Sequence, residues 1–188
     1  MALSTLSRSI KGEVAIVTGA ASGMGRATAH LFGDEGARVA LIDINDEPLQ
    51  AVVKEMTDAG YDAKGWALDL SDEAAIEKVF FEIGDHFGGI DILVNNAGIT
   101  LPGNSQELTV ADWDRITGVN LRSLFLTTKF SVPHLRRSSA GRIVNIASAH
   151  ASAGGGGPAY APAKAGVVNL TRDSAVELAG DNITVNAV

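Results

Sequence analysis

Residues 13–25 read EVAIVTGAASGMG, an apolar run that ends at Thr18 and leads through a glycine-rich turn into an amphipathic segment. A short β-branched run of this kind predicts a buried strand, and the glycines after it predict a tight strand-to-helix connection. Glycine there lets the backbone turn sharply and approach a pyrophosphate, while the N-terminus of the following helix presents free N–H groups to the anion. The stretch therefore predicts a dinucleotide-binding turn formed by Gly19, Ser22, Gly23, Met24 and Gly25.

The alternation of short apolar runs with longer amphipathic segments continues along the chain. The strand candidates are Glu13–Thr18, Arg38–Asp43, Ala63–Leu68, Asp91–Asn95, Arg142–Ala147 and Ile183–Val188. Helical patterns cover Gly23–Asp34, Asp46–Ala59, Asp72–Phe87, Ala111–Leu135 and Tyr160–Ala179. Consecutive apolar residues in a strand are expected where helices cover both sheet faces, and strict β-α alternation makes the sheet parallel. We therefore expect a single α/β domain over residues 1–188, a doubly wound, Rossmann-like parallel sheet of six strands.

Composition excludes several classes of function. The net charge of −7 leaves no basic stripe for nucleic acid, and no apolar run is long enough to span a membrane. The chain has no Cys, which removes disulfides and thiolate sites, and its four His residues are scattered, so the sequence gives no support for a metal site. We expect a cytoplasmic protein with a small-molecule substrate, without metal, membrane or nucleic-acid partners.

Asp43 stands at the carboxyl end of the second predicted strand. A carboxylate at this position can hydrogen-bond both ribose hydroxyls of NAD and would repel a 2′-phosphate. The alternative is an ordinary surface aspartate beside an ordinary glycine turn. Its placement favours the first interpretation, and predicts NAD(H) as cofactor in preference to NADP(H).

The stretch 159–164, AYAPAK, places Tyr160 and Lys164 on one face of a predicted helix. A phenol is a poor base near neutrality because its ordinary pKa is roughly 10, and a nearby ammonium favours the phenolate. Taken singly, the tyrosine would be a packing residue and the lysine a solvated one. Together, after a cofactor turn, they indicate a proton donor or acceptor for alcohol and ketone chemistry.

The glycine spacing and the stretch 95–98, NNAG, at the end of the fourth predicted strand resemble the classical branch of the short-chain dehydrogenase/reductase family. The resemblance covers nearly the whole chain. It implies that Asn96, Ala97 and Gly98 contact the dinucleotide, and that Asp69 and Leu70 lie beside the adenine ring.

The resemblance also implies a catalytic quartet. Tyr160 would be the acid/base, and Lys164 would tune it and bind the nicotinamide ribose. Ser148, after the strand RIVNIA, would hold the substrate oxygen, and Asn120 would hold a water that links the lysine to solvent.

These residues predict an NAD(H)-dependent oxidoreductase that interconverts a secondary alcohol and a ketone. A non-catalytic dinucleotide-binding or assembly protein of the same fold is the alternative. By resemblance, a homodimer or homotetramer is expected. The sequence stops at Val188 inside the last predicted strand, so the resemblance implies that the family's C-terminal substrate loop and final strand lie outside it.

Overall fold

The computed structural model describes residues 9–188 and contains one parallel sheet with the strand order β3-β2-β1-β4-β5-β6. The strands are β1 (Val14–Thr18), β2 (Arg38–Asp43), β3 (Ala63–Ala67), β4 (Ile92–Asn95), β5 (Arg142–Asn145) and β6 (Thr184–Ala187). The expected six-stranded, doubly wound α/β fold is confirmed, and the predicted strand ends are within two residues of those observed.

The helices alternate with the strands and cover both faces of the sheet. They are α1 (Gly23–Asp34), α2 (Asp46–Asp58), α3 (Glu73–Phe87), α4 (Val110–Thr117), α5 (Ser123–Leu135), α6 (His150–Ala153) and α7 (Tyr160–Leu178). Local signals define several ends: the Asp72 carboxylate accepts from the Ala75 N–H at the start of α3, and Gly36 and Gly60 take positive φ just after α1 and α2.

The core consists of two layers, one on each face of the sheet. On one face, α1 and α2 pack over the central strands, with Ala29, Leu49 and Met56 fully buried. On the other face, α3, α5 and α7 contribute residues such as Phe80, Leu126 and Leu178. Consecutive residues of β1 are all buried because both of its faces are covered.

The order of the strands switches direction at β1, which pairs in parallel with β2 on one side and with β4 on the other, so later strands are added on the opposite side. A crevice opens at such a switch point, outside the carboxyl ends of the strands, and ligands of open α/β sheets bind there. Thr18 and Asn95, which end β1 and β4, therefore border the place where a site is expected.

The single helix predicted over Ala111–Leu135 is wrong in its interior. A five-residue π-helical segment, Gly118–Arg122, separates α4 from α5. A π-segment inserts an extra residue into the helical turn and turns side chains to new directions. Here it carries Asn120, whose side chain bonds to Ile99, far away along the chain.

The stretch between β5 and α7 includes a run of four glycines, residues 154–157, which we call the glycine run. It contains the single helical turn α6 before the glycines. None of the helices within residues 9–188 is long and apolar enough to span a membrane.

Candidate active site

The turn between β1 and α1 needs its glycines for steric reasons. Gly19 and Gly23 have φ of 67° and 53°, a region that side chains other than glycine rarely adopt. A Cβ on Gly25 would collide with the carbonyl oxygen of Gly19, so this glycine allows the helix to approach the turn. Ser22, the N-cap of α1, makes no side-chain capping bond. The first turn of the helix therefore keeps N–H groups for an anionic ligand.

Thr18 and Asn96 brace this turn against the end of β4. Thr18 Oγ1 accepts from the N–H groups of Asn96 and Ala97, both at 3.0 Å. In return, Asn96 Nδ2 donates to the carbonyl oxygen of Thr18 at 2.9 Å. These reciprocal bonds fix the two strand ends that form the floor of the crevice.

Asp43 is held in place by the backbone of its neighbours. Its Oδ2 accepts from the Ala21 N–H at 3.0 Å, and its Oδ1 accepts from the backbone and side-chain nitrogens of Asn45, at 3.0 and 3.1 Å. Each carboxylate oxygen has further lone pairs, so the side chain can still accept hydrogen bonds from a ligand.

A cleft of about 500 Å³ lies above these residues. The predicted dinucleotide residues that line it are Gly19, Ser22, Gly23, Met24, Asp43, Asp69, Leu70, Asn96, Ala97 and Gly98. Gly25 is buried beneath the turn instead. The positive-φ glycines, the open helix N-terminus and the fixed carboxylate are the donors and acceptors that a dinucleotide requires, so the residues present fit this cofactor.

The charges along the cleft are mostly negative. Within residues 9–188, three carboxylates, Asp43, Asp69 and Asp114, line it together with one cation, Arg115. Arg26, on α1, is engaged elsewhere, because its Nη2 donates to Glu55 Oε2 at 2.6 Å. The cleft thus offers little positive charge to a further phosphate.

Asn120 lies buried on the π-segment and binds the chain that follows β4. Its Nδ2 donates to the carbonyl oxygens of Ile99 and Ile116, at 2.7 and 2.9 Å, and its Oδ1 accepts from the Ile99 N–H at 3.2 Å. Both amide hydrogens are therefore used by backbone groups. Only glycine fits at position 98, where a Cβ would lie 2.6 Å from Asn120 Oδ1 and 3.7 Å from Lys164 Nζ.

Lys164 is the charged side chain that lies deepest in this region. It is 3% exposed, and its Nζ donates to the carbonyl oxygen of Ile146 at 2.6 Å. Burial lowers the pKa of this ammonium. The Nζ also lies 5.7 Å from the centre of the Tyr160 ring, one helical turn earlier.

Tyr160 begins α7 beside the end of the glycine run. Its ring meets the His150 imidazole edge to face, with 6.4 Å between centres. Gly156 lies between the two, since a Cβ there would be 2.9 Å from Tyr160 Cδ1 and 3.0 Å from His150 Cβ. Ser148 Oγ accepts from the His150 N–H at 3.2 Å, so α6 links the predicted serine to the tyrosine.

The residues that line the cleft do not include the four predicted catalytic residues, which are Asn120, Ser148, Tyr160 and Lys164. Asn120 and Lys164 flank Gly98, which does line it, and Lys164 and Tyr160 share a face of α7. Ser148 is linked to Tyr160 through His150. A buried ammonium beside a phenol is a pair that can exchange a proton with a bound oxygen atom.

Comparison with known proteins identifies the family of this chain. The family described as short chain dehydrogenase matches residues 13–188. The chain belongs to the short-chain dehydrogenase/reductase family, in its classical branch. Members of this family are oxidoreductases that bind a nicotinamide dinucleotide, which confirms the coarse prediction of function and cofactor.

Two family members with similar sequences are named for different substrates. The BbsD subunit of a hydroxy(phenyl)methylsuccinyl-CoA dehydrogenase from Thauera aromatica is 44% identical over 179 residues, which are 95% of this chain and 72% of that protein. The meso-2,3-butanediol dehydrogenase of Serratia marcescens is 40% identical, with 94% of this chain and 69% of that protein covered.

A solved structure also matches closely. The crystal structure of a dehydrogenase/reductase from Sinorhizobium meliloti 1021 superimposes with a TM-score of 0.91 at 40% identity, over 95% of this chain and 71% of that one. The family fold is thus shared across the sheet and its helices.

Several residues of the candidate site were not predicted from the sequence. Ile44 and Arg115 line the cleft, and the carbonyl oxygen of Ile146 holds Lys164. Thr18 offered one signal, because a hydroxyl at the end of an otherwise apolar buried strand requires a hydrogen-bond partner. The Ile146 carbonyl offered none, since every residue has one.

Proposed function

We propose that this protein is an NAD(H)-dependent oxidoreductase that interconverts a secondary alcohol and a ketone, with Tyr160 as the acid/base. The observation that carries the proposal is the position of Lys164. Its buried ammonium is fixed to the Ile146 carbonyl and lies beside the Tyr160 ring, behind Gly98, a residue that lines the cleft that fits a dinucleotide. A buried charge is costly, and an ordinary surface helix would have no use for it.

The four proposed catalytic residues have different roles. Tyr160 takes the hydroxyl proton when an alcohol is oxidised and returns it when a ketone is reduced. Lys164 favours the phenolate through its charge, and Ser148 holds the substrate oxygen. Asn120 would reach the relay water through its backbone, since its amide hydrogens are already donated. The bound nicotinamide supplies the hydride acceptor or donor.

Asp43 supports the choice of NAD(H). Its carboxylate is fixed by Ala21 and Asn45 at the carboxyl end of β2, in a cleft with three carboxylates and one cation. A 2′-phosphate would bring two further negative charges beside that carboxylate, and Arg115 is the one cation among the described residues that line the cleft.

The test compares Tyr160→Phe with Tyr61→Phe, which removes the only other phenol of the chain, away from the cleft. Two probe substrates come from names of relatives, meso-2,3-butanediol and cis-4-hydroxycyclohexanecarboxylate. NADH formation is measured at 340 nm, roughly where reduced nicotinamides absorb, and cofactor affinity by titration of protein fluorescence. We expect Tyr160→Phe to lose at least about 100-fold in kcat with unchanged NADH affinity, and Tyr61→Phe to match the wild type.

Other outcomes distinguish the alternatives. Normal turnover by Tyr160→Phe would contradict the acid/base assignment. Tight NADH binding by the wild type, without turnover of any secondary alcohol, would favour the non-catalytic dinucleotide-binding or assembly protein. Equal affinities for NADH and NADPH would remove the role given to Asp43.

A second copy of this chain is the proposed partner, and a groove supports it. The groove, of about 890 Å³, lies between the π-segment with α5 on one side and α7 on the other. Leu121, Phe125 and Leu170 give it an apolar lining, and Asp114, Arg122 and Asp173 supply charges of both signs around them. A self-complementary patch of this kind suits a twofold interface. A cytoplasmic location stays a prediction from the sequence.

A further inference from the structure

A ladder of four buried polar side chains crosses the sheet beneath the site. Thr127 Oγ1 of α5 donates to Asn95 Oδ1 of β4 at 2.7 Å. Asn95 Nδ2 donates to Asn145 Oδ1 of β5 at 2.9 Å, and Asn145 Nδ2 donates to Thr171 Oγ1 of α7 at 2.9 Å. All four residues are between 0% and 6% exposed. We call these four residues the polar ladder.

Packing alone does not account for the polar ladder. Amides buried between a sheet and its helices must give up water, and their hydrogen bonds roughly offset that cost. Apolar side chains of the same shape would often give a fold of equal or greater stability. The hydrogen bonds fix how far one element is shifted along its neighbour. A bond of 2.9 Å between two side chains forms only at one relative position of the two elements.

The polar ladder is joined to the active site through α7. Thr171 follows Lys164 by about two helical turns on the same face of the helix. Lys164 Nζ donates to the carbonyl oxygen of Ile146, the residue directly after Asn145. Two polar bonds therefore attach α7 to β5, one inside the site and one beneath it.

The other end of the polar ladder is joined to the cofactor cleft. Asn95 directly precedes Asn96, whose side chain braces the glycine turn through the Thr18 carbonyl at 2.9 Å. Thr127 lies on α5, which begins directly after the π-segment that carries Asn120. The same set of bonds thus connects the elements that carry the glycine turn, the asparagine and the Tyr160–Lys164 pair.

We propose that Asn145 and Thr171 are positioning residues, which set the height of α7 on β5 and so the position of Tyr160 and Lys164 relative to the cleft. Neither side chain lines the cleft, and the bond between them joins β5 to α7, so the pair would act through the placement of the helix on the strand. The inference rests on the proposed function, because it concerns the alignment of its acid/base. Misplacement of a catalytic group by about 1 Å can cost on the order of 100-fold in rate.

The experiment compares Thr171→Val, which keeps the shape and loses the hydroxyl, with Thr171→Ser, which keeps the hydroxyl. The assay uses whichever of meso-2,3-butanediol and cis-4-hydroxycyclohexanecarboxylate the wild type oxidises faster. For Thr171→Val we expect kcat to fall roughly 10-fold or more, the acid inflection of the kcat–pH profile to move, and NADH affinity to stay within about 2-fold. Thr171→Ser is expected to restore the inflection.

The inflection is the deciding measurement. Simple destabilisation lowers the amount of active protein but does not move the pH at which the acid/base titrates. A wild-type profile in Thr171→Val, or an equal change in Thr171→Val and Thr171→Ser, would overturn the inference. If Thr171→Val does not fold, Thr171→Ala takes its place. Failure of both to fold, beside a normal Thr171→Ser, would make the hydroxyl a stabilising group only and would also overturn it.

Tyr160→Phe is measured in the same series, so that failure of the proposed function can be distinguished from failure of the positioning role. If it keeps normal turnover, the proposed function is wrong whatever Thr171 does. If it is inactive while Thr171→Val behaves as the wild type, only the positioning role is lost.

Discussion

At the scale of the single residue, Lys164 shows how a site can work against stability. Its ammonium is 3% exposed, has one carbonyl partner, and has its pKa lowered by burial. A cationic group whose pKa is lower in the folded state than in the unfolded state reduces the free energy of unfolding. The reduction is complete at pH values below the folded-state pKa. This loss of stability disappears as the pH rises from the folded-state pKa of Lys164 toward the ordinary lysine pKa of 10.5.

Lys164→Met is predicted to separate stability from activity. It removes the charge and keeps an unbranched side chain, so kcat should fall at least about 100-fold. The melting temperature of the variant minus that of the wild type should be largest near neutral pH and should shrink as pH rises, because the wild type then loses its buried charge. Thermal unfolding at a series of pH values measures this difference.

The control is Lys54→Met, at a lysine whose side chain is 73% exposed. It should leave kcat unchanged and should not reproduce the pH-dependent difference in melting temperature expected for Lys164→Met, because it removes no buried charge. A difference for Lys164→Met that grows as pH rises would contradict the assigned cause of the shift.

At the scale of the element, the sequence predicts regular structure well and tertiary distortions poorly. The six strands follow from short β-branched runs, and the ends of α1 and α2 follow from Gly36 and Gly60. The π-segment does not follow from local pattern, because it accompanies the bonds between Asn120 and Ile99, residues that only the fold brings together. The helical turn α6 was likewise not predicted, because it is short and is followed directly by glycines, which favour a loop.

The same distinction applies to the candidate site. The glycine turn and the NNAG stretch can be recognised as sequence motifs. Their roles depend on the local backbone conformation, which neighbouring residues specify. The polar ladder was not predicted, because Asn145 and Thr171 are ordinary in sequence and meet only when α7 packs on β5.

Gly156→Ala tests the segment between α6 and α7. The φ of Gly156 is not in the left-handed region, so alanine brings no backbone strain, but its Cβ would lie 2.9 Å from Tyr160 Cδ1. The Tyr160 ring must move, and we predict a fall in kcat of roughly 10-fold with little change in NADH affinity. Steady-state kinetics and cofactor titration measure both.

Gly89→Ala is the matched control, because Gly89 also lacks a positive φ and a Cβ there would meet nothing within 4 Å. It should leave kcat unchanged. Equal kinetics in the two variants would show that the space between His150 and Tyr160 does not fix the ring.

At the scale of the whole molecule, large apolar side chains are exposed on α4, α5 and α7, the helices whose residues line the groove beside α7. Phe125 on α5 is 53% exposed, Trp113 on α4 is 43% exposed, and Val176 on α7 is 80% exposed. Phe125 lines the groove itself. Exposed apolar surface next to a groove is typical of an interface, and this one lies on the helices that carry Asn120, Tyr160 and Lys164. Association there would hold those helices from outside as the polar ladder holds them from within.

Phe125→Glu is therefore predicted to weaken self-association. A carboxylate buried at an apolar contact would lose its hydration without a partner, so the mass by light scattering should fall from that of a dimer or tetramer toward that of a single chain. Phe81→Glu is the control, because Phe81 is 70% exposed on α3, outside the groove, and should leave the mass unchanged. A monomeric wild type would contradict self-association altogether. Equal dissociation by both variants would instead move the interface away from this groove.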